Sequence, residues 1–222
     1  MSIVCLLGNG SVDYNDLSQV RDASWETIAA DGGARHCSVL NITPTHIIGD
    51  LDSLEQRESW AQQTNVIHDT DQNTTDLEKC LDKTQSDLYI AFGFSGNRFD
   101  HTLEILHVLQ KYAHKHILFF VGDDIIFRVP KIFSISLPKG TRISLYPLQK
   151  TQSVRTYGLK YSLDGLTLEQ GTMIGTSNET TEEDISIQQS EETLACIMGK
   201  EFFKNIFNFL LEHRDSEETI TK

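Results

Sequence analysis

The chain has 222 residues, 39% of them hydrophobic, and a formal net charge of −13. That length and apolar content suffice for one large domain or two small ones around a proper core. The acidic balance excludes a nucleic-acid binder that works by neutralising phosphates, and no segment reaches the roughly 20 apolar residues of a membrane span.

The first ten residues, MSIVCLLGNG, lack a basic start and break their apolar run at Gly8, which reads as a first strand and not a signal peptide. Further short apolar runs at 27–30, 46–48, 65–68, 88–92 and 117–121 predict strands after the one at 3–7. Helical stretches stand between them, clearest at 75–84 and 98–115, where Leu106, Leu109 and Ala113 recur at helical steps. Strands alternating with helices predict an α/β domain over residues 1–122, a doubly wound and mostly parallel sheet. Beyond Gly122 the texture changes. Alternation at 133–137, Ile143/Leu145, Ile185/Ile187 and Leu194/Cys196/Met198, punctuated by Pro138-Lys139-Gly140 and Asp164-Gly165, predicts an antiparallel β-sandwich domain over 123–199. Residues 200–222 open as a docking helix, with Phe203, Ile206, Phe207 and Leu210 on one face, and end as a charged tail. The four cysteines, Cys5, Cys37, Cys80 and Cys196, form no C-x-x-C pair and read as buried thiols of a reducing compartment, so a cytoplasmic location is expected.

In an open parallel sheet, ligands bind beyond the carboxyl ends of the strands. Four consecutive strand ends here deliver aspartate: Asp31-Gly32-Gly33-Ala34, then Gly49-Asp50-Leu51-Asp52-Ser53, then the run from Asp69 through Asp71 to Asp76, then the segment with Arg98 and Asp100. Singly, each has an ordinary reading. Asp-Gly and Gly-Asp are turns, Thr75 with Glu78 is a capping box, and Asn97 with Asp100 could be another cap. Together they require a cation, because two carboxylates about 4 Å apart repel by roughly 1 kcal/mol in water and about 4 kcal/mol at an effective dielectric of 20. Oxygen-only ligands suit Mg²⁺ completed by substrate phosphates. Gly32, Gly33, Gly93 and Gly96 let backbone approach a phosphate, and Arg98 is a cation placed to meet one. Lys79 reads as a surface charge on its helix. The residues alone thus point to a Mg²⁺-dependent nucleotide site.

In this order, the blocks Asp31-Gly32-Gly33-Ala34, Gly49-Asp50-Leu51-Asp52-Ser53, Asp71-Gln72-Asn73-Thr74-Thr75-Asp76 and Arg98-Phe99-Asp100-His101 resemble the thiamine pyrophosphokinase family. Gly158-Leu159-Lys160-Tyr161 and Thr176-Ser177-Asn178-Glu179 extend the resemblance into the β-rich half. It implies transfer of the β,γ-diphosphate of ATP to the hydroxyl of thiamine, with AMP released, by a homodimer that holds thiamine where its protomers meet. On this reading Asp50, Asp52 and Asp76 bind Mg²⁺ and, with Asp100, form the catalytic group. Asp31, Gly32, Gly33, Gly49, Asp71 and Arg98 serve the nucleotide, while Gln72, Thr176, Ser177 and Asn178 surround thiamine. Two positions depart from the family pattern: Asn73 replaces a frequent aspartate and Tyr161 a frequent tryptophan. Two other readings stay open. Asp50-Leu51-Asp52 also fits the D-x-D of metal-dependent glycosyltransferases, and a binding module without turnover would tolerate both departures.

Overall fold

The computed structural model describes residues 1–96 and 98–212, so the expected cap at Asn97 and the charged tail lie outside the described residues. The chain divides into two compact units, the first comprising Met1–Val108 and Ile117–Gly122 and the second the remainder.

In the first unit, strands β1 (Ile3–Leu7), β2 (Glu26–Ala30), β3 (His46–Gly49), β4 (Asn65–His68), β5 (Leu88–Phe92) and β6 (Ile117–Val121) run in the order β6-β5-β1-β2-β3-β4. Every pairing among them is parallel. Inner strands of such a sheet are covered on both faces, which is why all five residues of β5 are buried, whereas the edge strand β4 exposes Asn65 and His68. The connections carry α1 (Tyr14–Val20), α2 (Ala34–Leu40), α3 (Arg57–Ala61) and α4 (Asp76–Lys83), and α5 (Phe99–Lys111) begins in this unit. The helix expected to reach residue 115 stops at Lys111, where the chain turns with the Lys115 amide donating to the Tyr112 carbonyl. The α4 start is a full capping box. The Glu78 amide donates to Thr75 Oγ1 at 3.3 Å, and the Thr75 amide donates to Glu78 Oε2 at 2.8 Å.

The second unit holds two sets of antiparallel strands. One set is ordered β11 (Gly175–Glu179), β9 (Arg142–Pro147), β13 (Leu194–Gly199), β7 (Asp124–Arg128) and belongs to the ten-stranded sheet; the other, a separate three-stranded sheet, is ordered β10 (Arg155–Tyr157), β12 (Asp184–Gln188), β8 (Ile132–Ser136). Phe127 of β7 and Phe133 of β8 bring the sheets together, with ring centroids 5.7 Å apart. The mixed α/β class with a separate antiparallel sheet is therefore as expected. Strands β7, β10 and β11 were not foreseen, and β13, an inner strand paired with β9 and β7 on its two edges, is buried at five of its six positions. The final helix, α6 (Phe203–Glu212), docks through Phe203, Ile206, Phe209 and Leu210. Phe209 takes the place expected for Phe207, its ring edge-on to Phe133 at 4.9 Å.

Truncating Phe209 to alanine removes this ring from a packed site and lowers stability by about 3 kcal/mol. Urea unfolding followed by circular dichroism measures it; a loss under about 0.5 kcal/mol would mean that α6 is not an integral part of the second unit.

Candidate active site

The order of the first sheet reverses at β1, with β2 on one side and β5 on the other, and a crevice opens beyond the strands' carboxyl ends at that point. It is a cleft of about 500 Å³ floored by Gly8 and Asn9 after β1 and by Gly93 and Phe94 after β5. Asp31, Asp50, Asp52 and Asp76 stand on one wall, and Arg98, Asp100 and Glu104 of the α5 region contribute the other.

The carboxylates converge for a topological reason. Asp31 follows β2 and Asp50 follows β3, its parallel neighbour, so both leave the sheet at the same edge. Asp76 opens α4, which packs over β2 and β3. One oxygen from each of Asp31, Asp50 and Asp76 lies within 4.8 Å of the others. Gly49 keeps this space open, because a Cβ there would fall 2.8 Å from Asp31 Cβ and 3.0 Å from Asp76 Oδ1. Asp31 is 3% exposed and sits at φ 44°, a left-handed conformation that aspartate tolerates better than most residues. Its Oδ2 accepts from the Ser53 amide at 3.0 Å, while Oδ1 is buried with no partner. Burial foremost pushes the Asp31 carboxyl up, with the Asp76 and Asp52 charges adding to it against the amides of Ser53 and Gly32. A buried unmet carboxylate oxygen, two converging carboxylates and an all-oxygen donor set fit a hard divalent cation such as Mg²⁺.

Asp31, and not Asp52, completes this tight group. Leu51 is 7% exposed and left-handed at φ 63°, and Asp52 is exposed at the cleft edge, accepting from Ser53 Oγ at 2.9 Å. Lys79 corrects the surface-charge reading: it is 3% exposed, lines the cleft and pairs with Asp76 Oδ1 at 3.2 Å. The i, i+3 spacing on a helix was the available signal for that pair. Arg98 grips Asp100 with Nε at 3.2 Å and Nη2 at 2.6 Å, both residues exposed. That pair holds the Asp100 carboxyl below the ordinary range. Gln72 lines the cleft, but Asp71 does not; it closes a turn by accepting from the Asn73 amide at 2.9 Å and from Asn73 Nδ2 at 2.8 Å. Gly32 and Gly33 do not line it either. A Cβ on Gly33 would lie 2.0 Å from the Leu7 carbonyl, so the glycines let this turn pack on β1. Glu104 belonged to no motif.

The second unit joins its two matched blocks physically. Pairing of β11 with β9 skips a residue between Gly175 and Asn178, a bulge that leaves Thr176 and Ser177 exposed and Ser177 left-handed at φ 59°. Asn178 is 3% exposed and its amide clamps Tyr161, accepting from the backbone N–H at 3.1 Å and donating to the carbonyl at 2.7 Å. Its side chain is thereby engaged within the fold, while Tyr161 is 59% exposed.

Fold and site together define an α/β protein with an acidic cleft beyond the carboxyl ends of its parallel strands, and with an antiparallel β unit in the same chain. The family model "Thiamin pyrophosphokinase, catalytic domain" matches residues 17–121, and "Thiamin pyrophosphokinase, vitamin B1 binding domain" matches residues 125–194. Thiamine pyrophosphokinase 1 of Oryza sativa subsp. japonica is 32% identical over 177 residues, 71% of this chain and 67% of the relative. Thiamine pyrophosphokinase of Bacillus subtilis is 27% identical over 176 residues, 74% of this chain and 82% of the relative. The chain belongs to the thiamine pyrophosphokinase family. Among solved structures, thiamine pyrophosphokinase from Bacillus subtilis superposes with a TM-score of 0.75 at 24% identity, covering 89% of this chain and 99% of that one. Yeast thiamin pyrophosphokinase gives 0.72 at 17% identity, over 94% and 89%. These two likenesses concern the fold.

The Asp31 carboxyl predicts a sign for pH dependence. Because the folded state holds its proton more tightly than the unfolded chain does, the metal-free protein is most favoured below the ordinary aspartate pKa. It loses that stability as pH rises through the raised folded value. Asp31→Asn removes this slope and, in EDTA at pH 7, melts at or above the wild-type temperature. A melting point lower by more than about 3 °C would show that the charge is already compensated in the metal-free protein.

Proposed function

We propose that this chain transfers the β,γ-diphosphate of ATP to the hydroxyl of thiamine and releases AMP. The observation that carries the reading is the buried, unpartnered Asp31 Oδ1 within the Asp31, Asp50 and Asp76 group, beside the buried ammonium of Lys79. Asp31, Asp50 and Asp76 would hold Mg²⁺, with Asp52 on the edge of the same wall. When bound, Mg²⁺ neutralises polyphosphate charge and makes the attacked phosphorus more electrophilic. Lys79 is withdrawn from solvent, so its charge acts on a phosphate through a low dielectric. Arg98 offers a planar fork suited to phosphate once it exchanges Asp100 for substrate. Asp100 is a weak proton acceptor while Arg98 holds it, and a weak one suffices if the attacking hydroxyl gives up its proton late.

Gln72 on the cleft wall and Thr176 and Ser177 on the β11 bulge are the proposed thiamine contacts, and Asn178 fixes the segment that presents Tyr161. Exposed Tyr157, Tyr161, Met173 and Ile174 form apolar surface in the second unit. We take this surface as the face on which two protomers meet around thiamine. A cytoplasmic setting suits the four free, buried cysteines. No described helix is long and apolar enough to cross a membrane.

A ³¹P NMR time course with ATP, Mg²⁺ and thiamine tests the reaction. AMP and a new diphosphate ester appear together and only with thiamine present; ADP or inorganic phosphate instead would refute diphosphate transfer. Asp50→Asn slows turnover by about 100-fold or more at saturating Mg²⁺, the scale of losing one electrostatic stabiliser of a transition state. Near-normal turnover in that variant would remove Asp50 from the site.

A further inference from the structure

A second cavity, of about 440 Å³, lies between α2 and the segment that runs from Ser53 into α3. That volume falls within the roughly 300–1,000 Å³ usual for small-molecule sites. Asn9 and Ser53 line both this cavity and the acidic cleft, so the two spaces adjoin at these residues. Ser53 is also tied to the carboxylate group, its amide donating to Asp31 Oδ2 at 3.0 Å. The two spaces differ in charge. Carboxylates outnumber cations around the cleft, whereas the second cavity is lined by one guanidinium, Arg35, one carboxylate, Glu55, and otherwise neutral residues. Buried Ala34 and Trp60, with Leu54, give it an apolar side, and exposed Glu55 and Gln56 add acceptors and donors.

The boundary between the two spaces is firmly built. Arg35 Nη2 donates to the Asn9 and Gly10 carbonyls at 2.7 and 2.9 Å, and His36 Nε2 donates to the Gly10 carbonyl at 3.0 Å. With its proton on Nε2, the neutral His36 ring accepts from the Tyr14 hydroxyl through Nδ1 at 2.8 Å. From the opposite side, the Gly10 and Ser11 amides donate to the Gly93 and Ser95 carbonyls at 2.6 and 3.0 Å. Both peptide groups that follow Asn9 are thus held at carbonyl and amide alike. The exposed Asn9 side chain therefore stands on fixed backbone where the cavities meet.

We propose that the second cavity is the subsite for the nucleoside of the nucleotide, whose polyphosphate lies in the acidic cleft. The inference rests on the nucleotide reading given above. A ligand that spans both spaces needs one end made for a cation site and the other neutral, flat and rimmed with polar groups, and a nucleoside polyphosphate has that division. The base lies against the side formed by Leu54 and Trp60, with Glu55 and Gln56 at its polar edge. The sugar passes Asn9 and the donors that Arg35 does not spend on the loop. Thiamine suits this cavity less well, because its thiazolium cation would meet the Arg35 guanidinium.

Calorimetric titration with Mg·ATP and with Mg·tripolyphosphate, which lacks the nucleoside, tests the proposal without turnover. The wild-type protein binds Mg·ATP at least about 10-fold more tightly, the scale of a few pocket contacts. Ser38→Trp fills the cavity from an exposed position of α2 and weakens Mg·ATP about 10-fold, while tripolyphosphate stays within about two-fold. Glu55→Ala, on an exposed loop, weakens Mg·ATP about 3-fold and carries the test if the tryptophan variant folds poorly. Equal wild-type affinity for the two ligands would overturn the subsite, as would Mg·ATP affinities within about two-fold of wild type in the folded variants. Equal losses for both ligands, or a loss that falls on thiamine and not on Mg·ATP, would also overturn it. Failure of the wild-type protein to bind Mg·ATP at all would overturn the nucleotide reading itself, a distinct result seen before any variant is compared.

Discussion

Mutual repulsion among carboxylates is the constraint around which the first unit is organised. Parallel strands deliver the residues that follow them to one edge, and neighbouring strands lie only about 4.8 Å apart. Aspartates placed after β2 and β3 are therefore forced together, and α4, packed over the same two strands, adds a third. Within the protein the repulsion is opposed by the Lys79 ammonium on Asp76 and by the Ser53 amide on Asp31. Neither reaches Asp31 Oδ1. Local choices that look unfavourable in isolation follow from this constraint: an aspartate at positive φ, a buried leucine at positive φ, and a glycine in the last position of β3.

The elements that carry the cleft are tied to one another by hydrogen bonds. The turns after β1 and β5 are hydrogen-bonded to each other, Gly8 to Phe92 at 2.8 Å and Gly10 to Gly93 at 2.6 Å. The α4 entry is fixed by a capping box that α5 touches from outside. The converging carboxylates are thus mounted on elements joined by backbone, capping and side-chain contacts.

The parallel strands of the first unit were readable as short apolar runs with helices between them, and β1, β4, β5 and β6 were placed residue for residue. Strands β10 and β11, RTY and GTSNE, carry little apolar signal, being held by pairing partners and not by their own burial pattern. In the site, adjacency misled. Asp50 and Asp52 look like a pair, yet the left-handed Leu51 stands between them, and the partner that completes the group is Asp31, nineteen positions upstream of Asp50. Lys79 was read as a solvated helix charge because its type is so rarely buried, and only its spacing from Asp76 pointed the other way. Asp71 and Asn178 carry the right chemistry for ligands, but their acceptors and donors close a turn and a loop.

The two departures from the family pattern now have physical readings of different kinds. Asn73 donates its amide to Asp71, a bond that an ionised aspartate, having no donor, could not make; the substitution exchanges a further negative charge for a locked turn beside Gln72. Tyr161 differs in that its backbone, not its ring, is what the fold holds. Asn178 grips both the N–H and the carbonyl of residue 161, and the Lys160 amide donates to the Glu179 carbonyl at 2.9 Å, so the segment is anchored whatever side chain it carries. The ring itself is exposed, with the Lys160 ammonium 5.9 Å from its centroid. A position whose main chain is fixed by others and whose side chain packs on little is free to change in size and polarity without disturbing the sheet. Variation at 161 therefore acts on what the exposed surface of the second unit meets, and hardly at all on the fold that presents it.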